Sequence, residues 1–162
     1  MGDSHRFDLF GKLIAEKFDN GMSIADVAGG KGYLQASLRQ LGFSKIETWD
    51  KRLATARKVH RNGYRFGYFE YKTAPKYDAV VAMHPDEGTD HCILYAGLHR
   101  VPVIICPCCV KPSAVQFWGN RKYNAWMEHL IELSKSQGLK IEQFKLKMNG
   151  RNDVLLLTPQ RA

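Results

Sequence analysis

The sequence predicts an α/β domain built on a doubly wound, mostly parallel seven-stranded sheet whose last strand is antiparallel. Three observations carry this. From Ile24 to Asp50, a short apolar run, a glycine-rich turn, a helical apolar pattern and a second apolar run follow one another and end in a carboxylate. Two more runs, Tyr77–Met83 and Val101–Cys106, are apolar without alternation apart from Asp78, as in strands buried on both faces. The chain then closes on an alternating segment from Leu139, an Asn149-Gly150 turn and a return strand from Asp153 to Leu157, the signature of an antiparallel hairpin. Seven strands fit in 162 residues, and residues 1–162 read as one domain.

The composition allows a real core: 44% of residues are hydrophobic and 25% charged, as in soluble globular proteins. The net charge of +8 makes an anionic partner an expectation, RNA first. A basic soluble protein without such a partner also fits the charge. No apolar run reaches 18 residues, so no membrane span is expected. The N-terminus lacks an apolar signal core, and Arg6 stands where a myristoylation motif at Gly2 would need Ser or Thr. The chain reads as cytoplasmic.

Residues 5–18 set Phe7, Phe10, Ile14 and Phe18 on one helical face, a pattern for packing against a sheet, and Asn20-Gly21 ends it. The apolar run to Val27 is the first strand. It enters Ala28-Gly29-Gly30-Lys31-Gly32, where glycine permits a sharp turn and close approach of a ligand to the backbone. Leu34, Leu38 and Leu41 recur at helical spacing, and Gly42 is the stop. Ile46 and Trp49 lead to Asp50, a strand-end carboxylate able to accept both hydroxyls of a ribose. This order of elements binds nucleoside cofactors in doubly wound sheets. A nicotinamide fingerprint needs a third glycine where Gln35 stands.

After Asp50 the chain is basic: Lys51, Arg52, Arg57, Lys58, Arg61 and Arg65 precede the next acid, Glu70. With Leu53, Ala56 and Val59 or His60 toward the sheet, these side chains make either a solvated face or a stripe along a phosphate backbone. Lys51 and Arg52 also lie close enough to the cofactor edge to serve it. Tyr64–Tyr71 is rich in aromatics and reads as a strand. The Tyr77–Met83 strand runs into His84-Pro85-Asp86-Glu87-Gly88-Thr89-Asp90, and polar residues at such a strand end lie over the ligand crevice. Thr89 or Asp90 is expected to cap the next helix, which Ile93, Leu94, Gly97 and Leu98 mark. Pro102 is tolerable near the start of the following strand. Residues 118–137 form an amphipathic helix through Tyr123, Trp126, Met127, Leu130, Ile131 and Leu133, with Asn120 as its cap and Gly138 as its stop. Arg121 and Lys122 at its start are placed to face a substrate.

The four cysteines, three of them within Cys106–Cys109, do not resemble a secreted disulfide framework. Cys106, Cys108 and Cys109 are too crowded for the separated pairs of a usual zinc chelate, so no metal is expected. A nucleophilic thiolate is one reading of them. Small, soft side chains lining a turn under the substrate is the preferred one.

The segment I-A-D-V-A-G-G-K-G-Y-L resembles motif I of the class I S-adenosylmethionine-dependent methyltransferases, in which an acidic residue opens a glycine loop. Over roughly residues 22–113 the chain is similar to the subgroup that includes the tRNA 2′-O-methyltransferases of the acceptor stem and related methyltransferase-like proteins. His84 follows the fourth strand, Thr89-Asp90 opens a helix, and I-I-C-P-C-C closes the fifth strand. The chain departs at Ala28, usually glycine, and at Pro85-Asp86-Glu87, usually Leu-Cys-Gly, with one residue fewer before Thr89. The resemblance implies a Rossmann-like fold and S-adenosylmethionine as cofactor. It implies cofactor contacts from Asp26, Ala28, Gly29, Gly30, Gly32, Tyr33, Asp50, Lys51 and His84, with Tyr68 and Phe69 near the adenine. His84 and Asp86 would orient the acceptor, Asp86 being the candidate general base. The implied reaction is methyl transfer to RNA, either tRNA or rRNA, with a protein partner as a candidate source of substrate recognition. Two other classes fit the same residues: a non-catalytic cofactor-binding subunit and a small-molecule methyltransferase.

Overall fold

The structure is a computed structural model and describes residues 5–52 and 63–161. Of the basic stretch, Leu53, Ala56, Arg57, Lys58, Val59, His60 and Arg61 lie outside the described residues.

In chain order the elements are α1 (Arg6–Lys17), β1 (Ile24–Val27), α2 (Tyr33–Gln40), β2 (Ile46–Asp50), β3 (Tyr64–Phe66), β4 (Ala79–Met83), α3 (Thr89–His99), β5 (Val103–Cys106), α4 (Tyr123–Ser136), β6 (Leu139–Lys145) and β7 (Asp153–Pro159). The strands form one sheet in the order β3-β2-β1-β4-β5-β7-β6. β7 runs antiparallel to both of its neighbours, and the other pairings are parallel. This is the doubly wound, seven-stranded architecture the apolar runs predict.

The buried strands alternate between two cores, because successive strand side chains point to opposite faces. Ala79, Val81 and Met83 join Phe10, Ile14, Leu34 and Leu38 on the α1–α2 face. Val80 and Ala82 join Tyr95, Trp126 and Leu130 on the α3–α4 face. Full burial of such side chains contributes about 1.5–3 kcal/mol each, and it leaves these strands little freedom to slip.

The site is positioned by register. Asp26 of β1 lies opposite Thr48 of β2, Asp50 opposite Phe66 of β3, and Met83 of β4 opposite Cys106 of β5. The carboxyl ends of β1, β2, β4 and β5 therefore open on one edge. The strand order reverses between β1 and β4 there, which is where doubly wound sheets hold ligands.

Local details differ from the sequence reading. The aromatic run makes only a three-residue edge strand, β3. Gly67 follows it with φ +149°, and the Glu70 carboxylate accepts the N–H groups of Lys72 and Thr73, closing a turn instead of a strand. α4 begins at Tyr123 behind an extended Lys122, so Asn120 does not cap it. α3 is entered through a single 3₁₀ turn, Asp86–Gly88, and no side chain caps it. Thr89 Oγ1 instead donates to the Asp86 carbonyl at 2.8 Å. Among the described residues no helix is long and apolar enough to cross a membrane.

Candidate functional site

At the reversal point lies a cleft of about 370 Å³, bounded by the loop after β1, the end of β2, Tyr68 and Phe69, and the turn after β4. Its floor is Asp26, only 1% exposed. Asp26 Oδ2 accepts the Thr48 hydroxyl at 2.8 Å, and Thr48 Oγ1 in turn accepts Gln35 Nε2 at 2.8 Å. Gln35, the residue that breaks the nicotinamide pattern, thus anchors this relay from α2. Asp26 Oδ1 is buried and makes no hydrogen bond. Burial pushes this carboxyl up from 3.8 to about 7; the Thr48 hydrogen bond opposes the rise and the nearby Asp50 charge adds to it.

The glycine loop packs directly over that acid. A Cβ at Gly29 would press into Asp26 Oδ2 and stand 2.6 Å from Thr48 Cγ2. Gly30 has φ +57°, which aims its N–H at Asp50 Oδ2, 2.9 Å away. Ala28 shares φ +57°, a left-handed conformation costing a residue with a Cβ about 1–2 kcal/mol; this is the position where the motif it resembles usually has glycine. Gly32 is not part of the cleft wall. It precedes α2 with φ +84°, and a Cβ there would run into the Tyr64 hydroxyl.

Asp50 is held from several sides. Oδ1 accepts the Arg52 backbone N–H at 2.9 Å and Arg52 Nε at 2.8 Å. Oδ2 accepts Arg52 Nη2 at 2.8 Å beside the Gly30 N–H. Burial alone would raise its pKa, but the Arg52 bonds and charge and the Gly30 N–H outweigh burial and leave it below the ordinary 3.8. Lys51 reaches across the mouth, donating to the Tyr68 hydroxyl at 2.8 Å and pairing with Glu87 at 3.5 Å. Tyr68 is exposed, whereas Phe69 is buried edge-on to Trp49 at 5.6 Å and against Tyr95 at 5.0 Å. Tyr33 lines the opposite lip and packs on Phe7.

The far wall carries the acceptor candidates. His84 and Asp86 both have positive φ, 50° and 52°, and strained non-glycine backbone of this kind clusters at working sites. His84 Nε2 lies 2.9 Å from the Arg151 carbonyl in the β6–β7 turn. A carbonyl only accepts, so Nε2 carries the proton and Nδ1 keeps its lone pair. Burial holds the His84 pKa below 6.5; the Arg151 bond works against that and the Arg6 charge works with it. Asp86 instead lies against Cys108 Sγ at 3.1 Å and Lys111 Nζ at 3.6 Å.

The cysteines separate. Cys106 is buried on β5 and donates to the Arg151 carbonyl at 3.5 Å. Burial pushes its thiol up to about 12. Cys108 and Cys109 continue outward beside Asp86. Sequence reasoning missed the Arg52 clasp, the Thr48 relay, His91 in the cleft wall and the role of Asp90. Asp90 is fully buried, and its Oδ2 accepts the N–H groups of Ser113, Ala114 and Val115 at 2.7, 2.9 and 3.1 Å. It thereby ties the loop after β5 to α3. Among these signals, Thr48 in the short I-E-T-W-D segment was the one visible in the sequence.

No family model matches the chain, and no curated protein matches it in sequence. Solved structures do. The ribosomal protein L11 methylase of Lactobacillus delbrueckii subsp. bulgaricus superposes with TM-score 0.68 at 16% identity, over 99% of this chain and 82% of that one. Human N-acetylserotonin methyltransferase in complex with SAM gives 0.62 at 16%, over 93% of this chain and 52% of that one. A candidate RNA methyltransferase of Pyrococcus horikoshii gives 0.60 at 15%, over 94% and 82%.

The chain has the class I methyltransferase fold.

The cleft of this fold brings two acids, glycine backbone and aromatic side chains together. Asp50 stands at a strand end with both carboxylate oxygens held by Arg52 and the Gly30 N–H. Asp26, whose Oδ1 has no hydrogen-bond partner, lies so close beneath Gly29 that a Cβ there would run into its carboxylate. Tyr68 and Phe69 supply an aromatic wall.

Proposed function

We propose that the chain is an S-adenosylmethionine-dependent methyltransferase whose acceptor is RNA. The observation that supports the cofactor half most directly is the joint placement of Asp26, the Gly29–Gly30 backbone and Asp50 around one cleft at the strand reversal. When bound, S-adenosylmethionine supplies a methyl group activated by a sulfonium. The chain's residues bind, orient and exclude water around it, which is the main catalytic demand of a direct displacement.

In this reading Asp50 accepts the ribose hydroxyls after Arg52 has swung off it. Asp26 balances the cationic amino group at the other end, and the Gly29–Gly30 backbone allows close approach. Lys51, Tyr68 and Glu87 close the mouth. His84 is the proton acceptor favoured by geometry, because its neutral ring presents Nδ1 while Nε2–H is fixed on Arg151. Asp86 is already engaged by Cys108 and Lys111, so it orients the acceptor side rather than taking its proton.

RNA is supported by the net charge of +8 and by Trp118, 87% exposed in the loop between β5 and α4. Arg121 and Lys122 follow it on the same exposed segment. An exposed aromatic ring among basic side chains is the usual platform for stacking single-stranded bases.

Calorimetric titration with S-adenosylmethionine and, separately, NAD tests the cofactor. Saturable binding of the first alone is expected, and binding of neither would remove the proposal's foundation. Transfer of labelled methyl to bulk tRNA or rRNA tests the acceptor. RNA binding that falls steeply with salt is expected, and a flat salt response with labelling of small molecules only would overturn the RNA assignment.

A further inference from the structure

The turn after β4 and the loop after β5 bring three metal-binding side chains to one point. The Asp86 carboxylate and the Cys108 and Cys109 thiols all place a donor atom within 4.8 Å of one another. Cys108 Sγ already lies 3.1 Å from Asp86 Oδ1. Donors around a tetrahedral zinc ion, with Zn–S of about 2.3 Å, stand roughly 3.5–3.8 Å apart. The three groups therefore need only small rotations to share an ion. Cys106, the third member of the sequence cluster, is buried on β5 and turned to Arg151, and Asp86 takes its place from another loop.

We propose that Asp86, Cys108 and Cys109 form a three-ligand site for a thiophilic divalent cation, zinc by its donor chemistry. Two sulfur donors and one carboxylate select zinc over magnesium or calcium, which take oxygen. Charge also balances. Two thiolates and a carboxylate carry three negative charges, zinc returns two, and Lys111 stands 3.6 Å from Asp86 Oδ2 to offset the remaining one. Three protein ligands leave a fourth position open, the pattern of zinc sites that act on a substrate or water. Asp86 also lines the cleft, which sets the site at the cleft's edge. The site does not depend on the methyl-transfer reading.

The test is titration of reduced, metal-free full-length protein with Co²⁺, followed by displacement with Zn²⁺ against a chromophoric chelator. The expected result is one equivalent bound per chain, with a thiolate-to-cobalt charge-transfer band that Zn²⁺ abolishes. Cys109→Ser, on an exposed residue, and Cys108→Ser should each weaken Zn²⁺ binding by more than the roughly 10–100-fold typical of outer-shell changes. Asp86→Asn should weaken it as well, and Cys106→Ser should leave it unchanged. No stoichiometric binding, binding without the charge-transfer band, or equal loss in Cys106→Ser would overturn the site. Circular dichroism of each variant shows that the fold is retained, and Cys109→Ser alone suffices to decide should a buried variant misfold.

Discussion

Asp26→Asn is the sharpest probe of the cleft. The Asp26 pKa rises from 3.8 to about 7 on folding, roughly three pH units, or about 4 kcal/mol at 1.36 kcal/mol per unit. The folded state holds this proton to higher pH than the unfolded chain does. The associated stability is therefore complete below pH 3.8 and is lost as pH rises toward 7. From pH 5 to pH 8 the ligand-free protein crosses two of those three units, so it should lose about 3 kcal/mol through this one group. The asparagine variant has no proton to lose, and its amide oxygen can still accept the Thr48 hydroxyl. The stability difference between variant and parent should thus shift by about 3 kcal/mol in the variant's favour between the two pH values. Urea unfolding at pH 5 and pH 8, followed by tryptophan fluorescence, measures it. His84 has the opposite sign, its depressed pKa removing stability as pH falls below 6.5, but it is common to both proteins and cancels in the difference. A difference that stays constant within about 1 kcal/mol would show that Asp26 is not held protonated and would refute the reasoning.

Asp50→Ala should weaken S-adenosylmethionine binding by about 1–3 kcal/mol, the scale of hydrogen bonds to a charged group; unchanged calorimetric affinity would remove Asp50 from the site. Arg52→Ala should instead tighten binding by up to about fivefold, since the clasp on Asp50 is largely solvent-exposed on the arginine side and such pairs contribute at most about 1 kcal/mol. Weaker binding by that variant would show Arg52 holding the cofactor rather than competing with it. Gly29→Ala should destabilise the fold by about 1–3 kcal/mol through overpacking against Asp26 and Thr48, read as a lowered urea midpoint. Asp90→Ala strands three backbone N–H groups and should cost about 3 kcal/mol or more, with protection of the 113–115 amides lost in hydrogen exchange.

The parts of the fold legible in the sequence were those where one physical signal dominates. The continuous apolar runs at Ala79–Met83 and Val103–Cys106 are strands because both faces are buried, and Asn149-Gly150 does join two antiparallel strands. The boundaries that failed lie where local propensity was overruled. Tyr64–Tyr71 has strand composition, yet it sits on the sheet edge and stops at Gly67. Asn120 is a good cap residue two positions too early, because Lys122 is still extended.

The site divides along the same line. Its acids and glycines were readable as types, because a glycine loop and strand-end carboxylates recur at known offsets. Their partners were not, because partnership is set by register and by contacts between distant loops. Asp26 meets Thr48 only because β1 and β2 pair in the observed register. A slip of one residue would set Glu47 or Trp49 opposite Asp26 instead, placing either a second carboxylate or an indole where the hydroxyl relay now stands. Burial of Ile24 and Ile46 on one face and Trp49 on the other opposes that slip. The apolar residues of these strands therefore determine the protonation of the polar one: the packing that makes the sheet also keeps Asp26 beside a single hydroxyl, with its other oxygen buried and unpartnered.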